Sequence, residues 1–446
     1  MLLDDHKKLA KEVVDLVMAQ GGDTAVVRID FSTDKDVSIR NQKIDTLTQS
    51  NSKMLTLTVS RDKKKAVVST SDLSETALKS LLKDAMNIVK YTGQDEFYGL
   101  PAKEELGMAE GDLKIYDPRE DSIAIEKRID MAKELETLSL KHDKDLIADG
   151  SSVSSSTGHF VLANSLGFCE GYMQSEWVVQ SSCAIPDAVE GLNSARKQSG
   201  GWYSVANSFE KLEPLEAVAA QAARRTIMKR GAKKPKTQTV PVIFENTVAV
   251  GLLSFLAQAL TGSNIYTRQS FLADKLASKI AGDNVTIVED PLIPGLVSSR
   301  PFDGEGVKSR RKTVVENGVL KTFLLDSYAA RKLNMKTTGN SDGVSNLYLE
   351  EGKTSLEEMI KTIENGVLVT SASGFGEVLQ TGDYSKGAQG LWIENGKISY
   401  PVNEFTIAST MFDILNNIEL IGNDSIKTGP VFCPSIKVRK MTVSGV

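Results

Sequence analysis

PVIFENTVAVGLLSFLAQALTG, residues 241–262, is the stretch from which the rest of the sequence can be interpreted. An apolar run rich in β-branched residues, 240–244, predicts a strand. A long apolar segment follows after two polar residues and ends near Gly262, which is typical of a buried helix. Asn246 is the predicted N-cap, because its side chain can accept a hydrogen bond from a free backbone amide. The pattern therefore predicts a strand that leads directly into a packed helix.

Length and composition indicate a globular protein with two domains. A chain of 446 residues exceeds one ordinary hydrophobic core, and its 41% hydrophobic content is enough for two. We place the boundary near residue 235, at the end of the basic run 229–236, which gives domains 1–235 and 236–446. The net charge of −5 argues against a nucleic-acid partner, because such proteins need a basic surface.

Cysteine use and hydropathy predict a cytoplasmic protein. The three cysteines are far apart and form no CxxC pair, so no disulfide framework is expected. The first 18 residues alternate charged and apolar side chains, unlike a signal peptide. The longest apolar run is shorter than the roughly 18 residues that a membrane span requires. We therefore expect no membrane partner.

The first half predicts an α+β arrangement with an antiparallel sheet. A helix over 4–20 precedes four β segments that are joined by short polar turns, at 24–31, 36–40, 53–60 and 65–70. Asp72 has capping-box spacing to Glu75 and predicts a second helix to Tyr91. Residues 93–118 are interpreted as a surface excursion, and a further helix is expected over 122–140. The Ser-rich run 151–157 predicts a strand edge or a loop.

The second half predicts a β-rich domain, a curved sheet or partial barrel with packed helices. Asn317-Gly318 and Asn395-Gly396 each lie between β-type runs, and Asn-Gly supplies the positive φ angles of a tight hairpin. Ser355 is expected to begin a helix that Gly366 ends. A strand over 405–408, a helix over 410–418 and a closing strand over 436–443 complete the pattern.

Familiar catalytic motifs are absent or out of context. His6, His142 and His159 are the only histidines, and none has zinc-ligand spacing to another. Gly339 to Gly343 matches G-x-S-x-G, but no helix follows directly and no histidine lies downstream. Carboxylates that could serve as acid, base or cation ligands are plentiful in the second half: Asp303, Glu305, Asp326, Glu377, Asp383, Glu394 and Glu404.

Several longer blocks resemble the TldD/PmbA family, also called TldD/TldE and described as modulators of DNA gyrase. These blocks are 300–306, 324–331, 338–346, 371–388, 392–408 and the final strand, and together they cover most of 240–446. The TldD branch carries His-Glu-x-x-x-His in the helix after residue 245. Here the metal-motif positions are occupied by Thr247, Val248 and Leu252, so the chain resembles the PmbA/TldE branch, which lacks the motif.

The resemblance implies a subunit of a zinc metallopeptidase that holds no metal or other cofactor of its own. Zinc is expected in a TldD-like partner, and the pair is expected to cleave unfolded or extended peptides. The isolated chain is then expected to be inactive and to have no catalytic residue. The sequence does not decide whether the isolated chain forms a homodimer. Residues expected to contact the peptide or partner are Phe302, Asp303, Arg310, Gly382, Asp383, Tyr384 and Ser385.

Two other functions remain open at this point. One is a non-enzymatic regulator that binds gyrase or another protein. The other is a self-sufficient hydrolase whose metal is held by the second-half carboxylates together with Cys433, although Cys433 lies too close to the final strand to match a family ligand.

Overall fold

A six-stranded antiparallel sheet forms the N-terminal half of the molecule. The computed structural model describes residues 2–119, 123–187 and 197–446. The strand order is β3-β2-β1-β4-β5-β6, and every neighbouring pair is antiparallel. The strands are β1 (Thr24–Arg40), β2 (Lys43–Arg61), β3 (Lys64–Thr70), β4 (Ile147–Asn164), β5 (Cys169–Pro186) and β6 (Lys197–Ala206).

Four helices cover one face of this sheet. Side chains alternate between the two faces along a strand, so every second residue of a strand points toward the helices. The helices are α1 (Leu2–Ala19), α2 (Glu75–Ile88), α3 (Ile125–Leu140) and α4 (Leu215–Ile227). Val27 and Ile29 of β1 pack under α1 and α2, whereas Val37 and Ile39 pack under α3 and α4. All four residues are odd-numbered and share one face, so the predicted two-layer α+β arrangement is confirmed.

Three local predictions in this half were wrong. Segments 24–31 and 36–40 form a single strand, and the Ser-rich run 151–157 lies in central strand β4, paired on both sides. Tertiary pairing supplies hydrogen bonds that the local composition does not reveal. The N-cap of α2 is Ser74, whose hydroxyl accepts from the Ala77 amide, and not Asp72.

The C-terminal half contains a closed ring of five strands. The ring runs β12-β7-β18-β15-β14 and returns to β12 through a β12–β14 pairing. Its strands are β7 (Gln238–Phe244), β12 (Asn365–Ser373), β14 (Asp383–Glu394), β15 (Lys397–Thr410) and β18 (Ile436–Ser444). The short strands β13 (Glu377–Val378) and β16 (Ile418–Ile421) attach to β14 and β18. The expected partial barrel is thus present, and its ring is closed.

A second, five-stranded sheet lies beside the barrel, in the order β10-β9-β8-β11-β17. Its strands are β8 (Ile287–Glu289), β9 (Lys312–Glu316), β10 (Val319–Leu320), β11 (Leu347–Leu349) and β17 (Val431–Phe432). The helices of this half are α5 (Asn246–Ala259), α6 (Gly262–Tyr266), α7 (Ser327–Lys332), α8 (Leu356–Lys361) and α9 (Met411–Asn416). Helix α5 packs in the largest hydrophobic core of the described residues, with side chains from the barrel and from the second sheet.

Local signals in this half were predicted with mixed success. Both Asn-Gly hairpins are confirmed, with positive φ at Asn317 and Asn395. The capping box at Ser355 is confirmed as well, but Gly366 lies in β12 and does not end that helix. Glu245, not Asn246, is the N-cap residue of α5. Within 2–119, 123–187 and 197–446, no helix is long and apolar enough to cross a membrane.

The expected surface excursion instead connects the two halves. The segment 97–113 lies along the C-terminal half and forms backbone hydrogen bonds with it, including Ala109 N to Pro301 O at 2.9 Å. The guanidinium of Arg331 donates to the carbonyls of Gly99 and Leu100, at 2.8 and 3.2 Å. The polar composition of the segment 97–113 therefore reflects hydrogen bonds to the C-terminal half. The sequence pattern does not distinguish such a segment from one that is exposed to solvent.

Candidate functional site

A groove of about 270 Å³ lies over the outer side of α5. One wall is aromatic, formed by Trp202 and Tyr203 of β6, and the opposite wall is the loop that leads to β17. The floor is the start of α5. The residues that line the groove are Trp202, Tyr203, Asn246, Thr247, Val250, Ser254, Ile426, Thr428, Gly429, Pro430 and Val431. Both halves of the molecule thus contribute to it.

The residues of α5 that form the floor follow from the sequence of the helix. Thr247, Gly251, Ser254 and Gln258 are exposed, at spacings of three and four that place them on one side of the helix. The other apolar residues between them are buried, including Val248 and Leu252, which are 7% and 3% exposed, whereas Val250 is partly buried and lines the groove. The expectation of an apolar helix that simply packs was therefore incomplete, because one stripe of α5 faces the groove.

An ion pair fixes the entrance of α5. Arg225 of α4 lies 2.7 Å from the carboxylate of Glu245 and also donates to the Thr247 hydroxyl at 3.2 Å. That hydroxyl donates to Glu245 at 2.9 Å, and the Arg225 guanidinium lies 5.4 Å from the Trp202 ring centre. The contacts hold the first turn of α5 against the aromatic wall. These contacts therefore tie the floor of the groove to its aromatic wall.

The side chains at Thr247, Val248 and Leu252, where the resemblance places the metal motif, do not fit a zinc ion. Zinc is bound by thiolate, imidazole or carboxylate groups, usually three or four from the protein. Thr247, Val248 and Leu252 offer none of these, and Thr247 and Leu252 point to opposite sides, one exposed and one buried. Across 2–119, 123–187 and 197–446, no three His, Cys, Asp or Glu residues converge as a metal site would require.

Phe302 and Asp303 lie inside the contact between the two halves. Phe302 is fully buried, with its ring centre 5.1 to 5.6 Å from the rings of Phe160, Phe168 and Tyr172. The Asp303 carboxylate is also fully buried and accepts three backbone amides at 2.9 to 3.0 Å. Burial raises the pKa of Asp303, and the three amides act in the opposite direction. Both side chains hold the loop in place and have no surface to present to a peptide.

Arg310 also lies between the two halves, but its side chain is more exposed than those of Phe302 and Asp303. It forms an ion pair with Glu105 of the connecting segment at 3.0 Å and donates to the Thr337 carbonyl at 2.6 Å. Nearby, Glu289 is fully buried and is held by Lys312 at 2.6 Å and by the Asn340 amide at 2.8 and 3.0 Å. Burial lowers the pKa of Lys312. These groups form satisfied structural networks around the loops that connect the two halves.

The Gly382 to Ser385 loop lies at the start of β14, by the barrel. Tyr384 is 3% exposed and packs edge-on against Phe244, and burial raises its pKa. Asp383 and Ser385 are exposed, and Asp383 accepts a hydrogen bond from Thr381 at 2.6 Å. Among the described residues, no hydrogen bond, ion pair or ring contact joins this loop to Phe302, Asp303 or Arg310. The structure therefore separates the predicted contact residues into two sets.

The sequence interpretation missed the residues that form the groove walls. Trp202 and Tyr203 lie far from α5 in the chain, and Arg225, which holds the groove floor, is one of three charged residues on the Ala-rich helix α4. A signal existed only within α5, where small and polar residues recur on one side of an otherwise apolar helix. A larger cavity of about 670 Å³ is lined mainly by residues of β1, β2, β4 and β5, and by none of the predicted site residues.

Comparison with known proteins identifies the family. Models of the PmbA/TldA metallopeptidase match domain 1 at residues 25–89, the central domain at 118–230 and the C-terminal domain at 237–445. Metalloprotease PmbA of Escherichia coli O157:H7 is 35% identical over 448 residues, covering 99% of this chain and 98% of that protein. The PmbA homologue of Haemophilus influenzae is 34% identical, covering 96% and 93%.

Solved structures agree with this assignment. A Bacteroides thetaiotaomicron protein, described as a candidate modulator of DNA gyrase, superposes with a TM-score of 0.94 at 28% identity over 100% of both chains. TldE from Thermococcus kodakarensis has the same fold, with a TM-score of 0.85 at 21% identity, covering 98% of this chain and 100% of its own. The chain therefore belongs to the PmbA/TldD metallopeptidase family.

Proposed function

We propose that this chain is the PmbA/TldE-type subunit of a two-component metallopeptidase, in which a TldD-like partner holds the zinc. The observation that carries the proposal is the first part of α5, where the positions that the resemblance assigns to the metal motif hold Thr247, Val248 and Leu252. A zinc-bound water needs an open metal and a nearby general base, and these side chains supply neither. The chain then contributes substrate binding to a reaction whose chemistry takes place on the partner.

The groove over α5 has the properties of a peptide-binding surface. Its aromatic wall offers a broad apolar contact, and Thr247, Ser254 and Thr428 offer hydroxyl groups. None of its lining residues carries a charge, so binding would not depend on a particular charged side chain of the ligand. An extended peptide held mainly through its backbone and by apolar contacts suits such a groove.

The proposal is tested by measuring bound transition metal per chain and peptide hydrolysis, with the chain alone and mixed with a TldD-like subunit. The substrate is an internally quenched, unstructured peptide. We expect almost no metal on the isolated chain and hydrolysis that rises only in the mixture. One metal per chain with activity alone would overturn the proposal in favour of a self-sufficient hydrolase. Specific binding to gyrase with no effect on hydrolysis would overturn it in favour of a regulator.

A pair of variants tests the groove itself. Ser254→Arg places a long side chain into the groove, whereas Gln258→Arg adds the same side chain one turn further along the exposed stripe, outside the lining. We expect Ser254→Arg to raise the KM of the mixed enzyme while Gln258→Arg leaves it close to the wild-type value. Equal KM values for the two variants would show that the groove does not bind substrate.

A further inference from the structure

The cavity of about 670 Å³ has a polar floor formed by strands of the six-stranded sheet. Val27 and Ile29 of β1 point toward the helices, so Ser32, an even-numbered residue of the same strand, points the other way. Ser32 lies opposite Gly158 of β4, which lies opposite Gln174 of β5, and residues directly opposite one another share a face. All three line the cavity. The floor is therefore part of the sheet face that carries no helix.

Four lining residues of β4 and β5 lie at the corners of a rough square on this floor. Ser156 lies opposite Glu176, and next to them Gly158 lies opposite Gln174. Opposite residues have Cβ atoms about 5 Å apart, and residues two apart along a strand are separated by about 7 Å. Gly158 has no side chain, so a space remains between the other three side chains.

The carboxylate of Glu176 has no partner at this square. Asp30 on the same face is paired with Arg28 at 2.8 and 3.0 Å, and Asp34 accepts the Ser156 hydroxyl at 2.6 Å. Among the described residues, no hydrogen bond or ion pair reaches Glu176. Its side chain is open to the cavity, but the surrounding protein limits its hydration, and this burial raises its pKa. A cation that enters the cavity would stabilise the ionised carboxylate.

The three side chains of the square match a primary ammonium group, which has three hydrogen-bond donors and no acceptor. Glu176 supplies the opposite charge, and the amide oxygen of Gln174 can accept a second hydrogen bond. The Ser156 hydroxyl donates to Asp34, so its oxygen can accept the third. Acceptors on three separate sides suit an ammonium better than the planar fork of a guanidinium. A transition metal would need three or four ligands, and no three His, Cys, Asp or Glu residues converge in the described part of the chain.

We propose that this cavity binds a primary ammonium group, with Glu176 as its counter-charge and Gln174 and Ser156 as further acceptors. Val297 and Phe160 also line the cavity and offer apolar surface to the carbon chain that carries the ammonium. Two kinds of molecule present such a group on a flexible chain: a peptide with a lysine side chain and a free polyamine. The cavity shares no lining residue with the groove over α5, so the proposal does not depend on the function proposed above.

Titration calorimetry on the full chain at neutral pH tests the proposal. The probes are an acetylated and amidated pentapeptide with one lysine among glycines, the same peptide with its lysine acetylated, and the diamine putrescine. We expect the lysine peptide or putrescine to bind at millimolar concentrations and the acetylated peptide not to bind, because acetylation removes the charge. Tighter binding of the lysine peptide assigns the site to peptides, and tighter binding of putrescine assigns it to polyamines.

Two pairs of variants locate the binding. Glu176→Gln keeps the shape of the side chain without its charge and is expected to weaken binding by about tenfold or more. Gln174→Ala removes one acceptor and should weaken binding less. The controls are Glu126→Gln on α3 and Gln180→Ala on β5, which change exposed residues outside the lining and should bind as the wild type does.

The free energy of unfolding in urea provides a second measurement that needs no ligand. Because the Glu176 carboxylate has no partner, Glu176→Gln is expected to be at least as stable as the wild type at neutral pH. A loss of stability would mean that the carboxylate is already paired within the chain, which would overturn the proposal. Equal affinity of Glu176→Gln and the wild type would also overturn it, as would a wild type that binds neither ammonium probe or binds the acetylated peptide equally well. Because these measurements need no partner subunit, their failure is distinct from a failure of the mixed enzyme to cleave peptides.

Discussion

Arg225 Nη1 lies 2.7 Å from Glu245 Oε2, and this ion pair joins helix α4 to the residue that caps α5. The two side chains are 13% and 9% exposed, so water screens them little. Because α4 belongs to the sheet layer and α5 to the barrel, the pair fixes the position of the groove floor relative to its aromatic wall.

Arg225→Ala is expected to destabilise the protein by about 3–5 kcal/mol, because it leaves the buried Glu245 carboxylate without its counter-charge. The measurement is the free energy of unfolding in urea. The exposed pair of Glu75 and Lys79 on α2 is the control, and Lys79→Ala should change stability very little. Equal losses in the two variants would show that the Arg225 contact is worth no more than a surface pair.

Gly251→Ala is expected to stabilise the protein by about 0.5–1 kcal/mol. Gly251 lies within α5, is exposed, and leaves nothing within 4 Å of an added methyl group. Alanine restricts the unfolded chain and favours helix at such a position. The matched control is Gly262→Ala, where the added carbon would come 2.3 Å from Ala329 Cβ and should be destabilising. A Gly251→Ala variant that melts below the wild type would contradict this account of the exposed stripe.

The sequence predicted those features that a few adjacent residues determine. The hairpin at Asn317-Gly318 and the capping box at Ser355 depend on backbone angles and side-chain hydrogen bonds within four residues, so their letters are sufficient. The alternation of polar and apolar residues in α5 also showed its exposed stripe, although we interpreted the helix as fully packed. Turns, helix caps and exposed helix faces can therefore be predicted from the sequence where the interacting residues are close together in the chain.

The remaining features depend on contacts between distant segments. Trp202 lines the groove, and Arg225 holds its floor, only because β6 and α4 meet α5, and no local pattern in the sequence indicates that contact. Phe302 was expected to contact a peptide or the partner, but its ring is buried in the contact between the two halves, where Phe160 and Phe168 of the other half pack against it. In the same way, the Ser-rich part of β4 is central only because β1 and β5 pair on both sides of it.

Acidification below about pH 6.5 is expected to destabilise the fold through His6 and His159. The two rings are buried and share a 2.7 Å hydrogen bond, and burial lowers the pKa of His159 to about 4, with the neighbouring His6 adding to the effect. The unfolded chain binds this proton near pH 6.5, so the native state loses stability as the pH falls from 6.5 to 4. The shift corresponds to a loss of about 3 kcal/mol.

His159→Gln should flatten this part of the stability profile, and urea unfolding between pH 4 and 7 measures it. The exposed His142 provides the control, because His142→Gln removes a histidine that is open to solvent and should leave the slope unchanged. A wild-type slope that persists in His159→Gln would assign the acid sensitivity to other groups.

Glu305 is expected to produce a pH dependence of the opposite sign. Its carboxylate accepts the Ser327 amide at 2.9 Å, at the start of α7, and burial raises its pKa to about 7, with the charge of Asp303 adding to the effect. The native state therefore keeps a proton that the unfolded chain releases near pH 4.5, and stability falls as the pH rises from 4.5 to 7.

Glu305→Gln keeps an acceptor for the amide and has no charge to bury, so it should gain up to about 3 kcal/mol over the wild type above pH 7. Glu104→Gln, which changes an exposed carboxylate in the connecting segment, should show no such gain. Because His159 acts in nearly the same pH range with the opposite sign, the two effects partly cancel in the wild type, and only the difference between each variant and the wild type separates them. A difference for Glu305→Gln that stays constant from pH 5 to pH 8 would mean that this carboxyl titrates alike in the folded and unfolded chains.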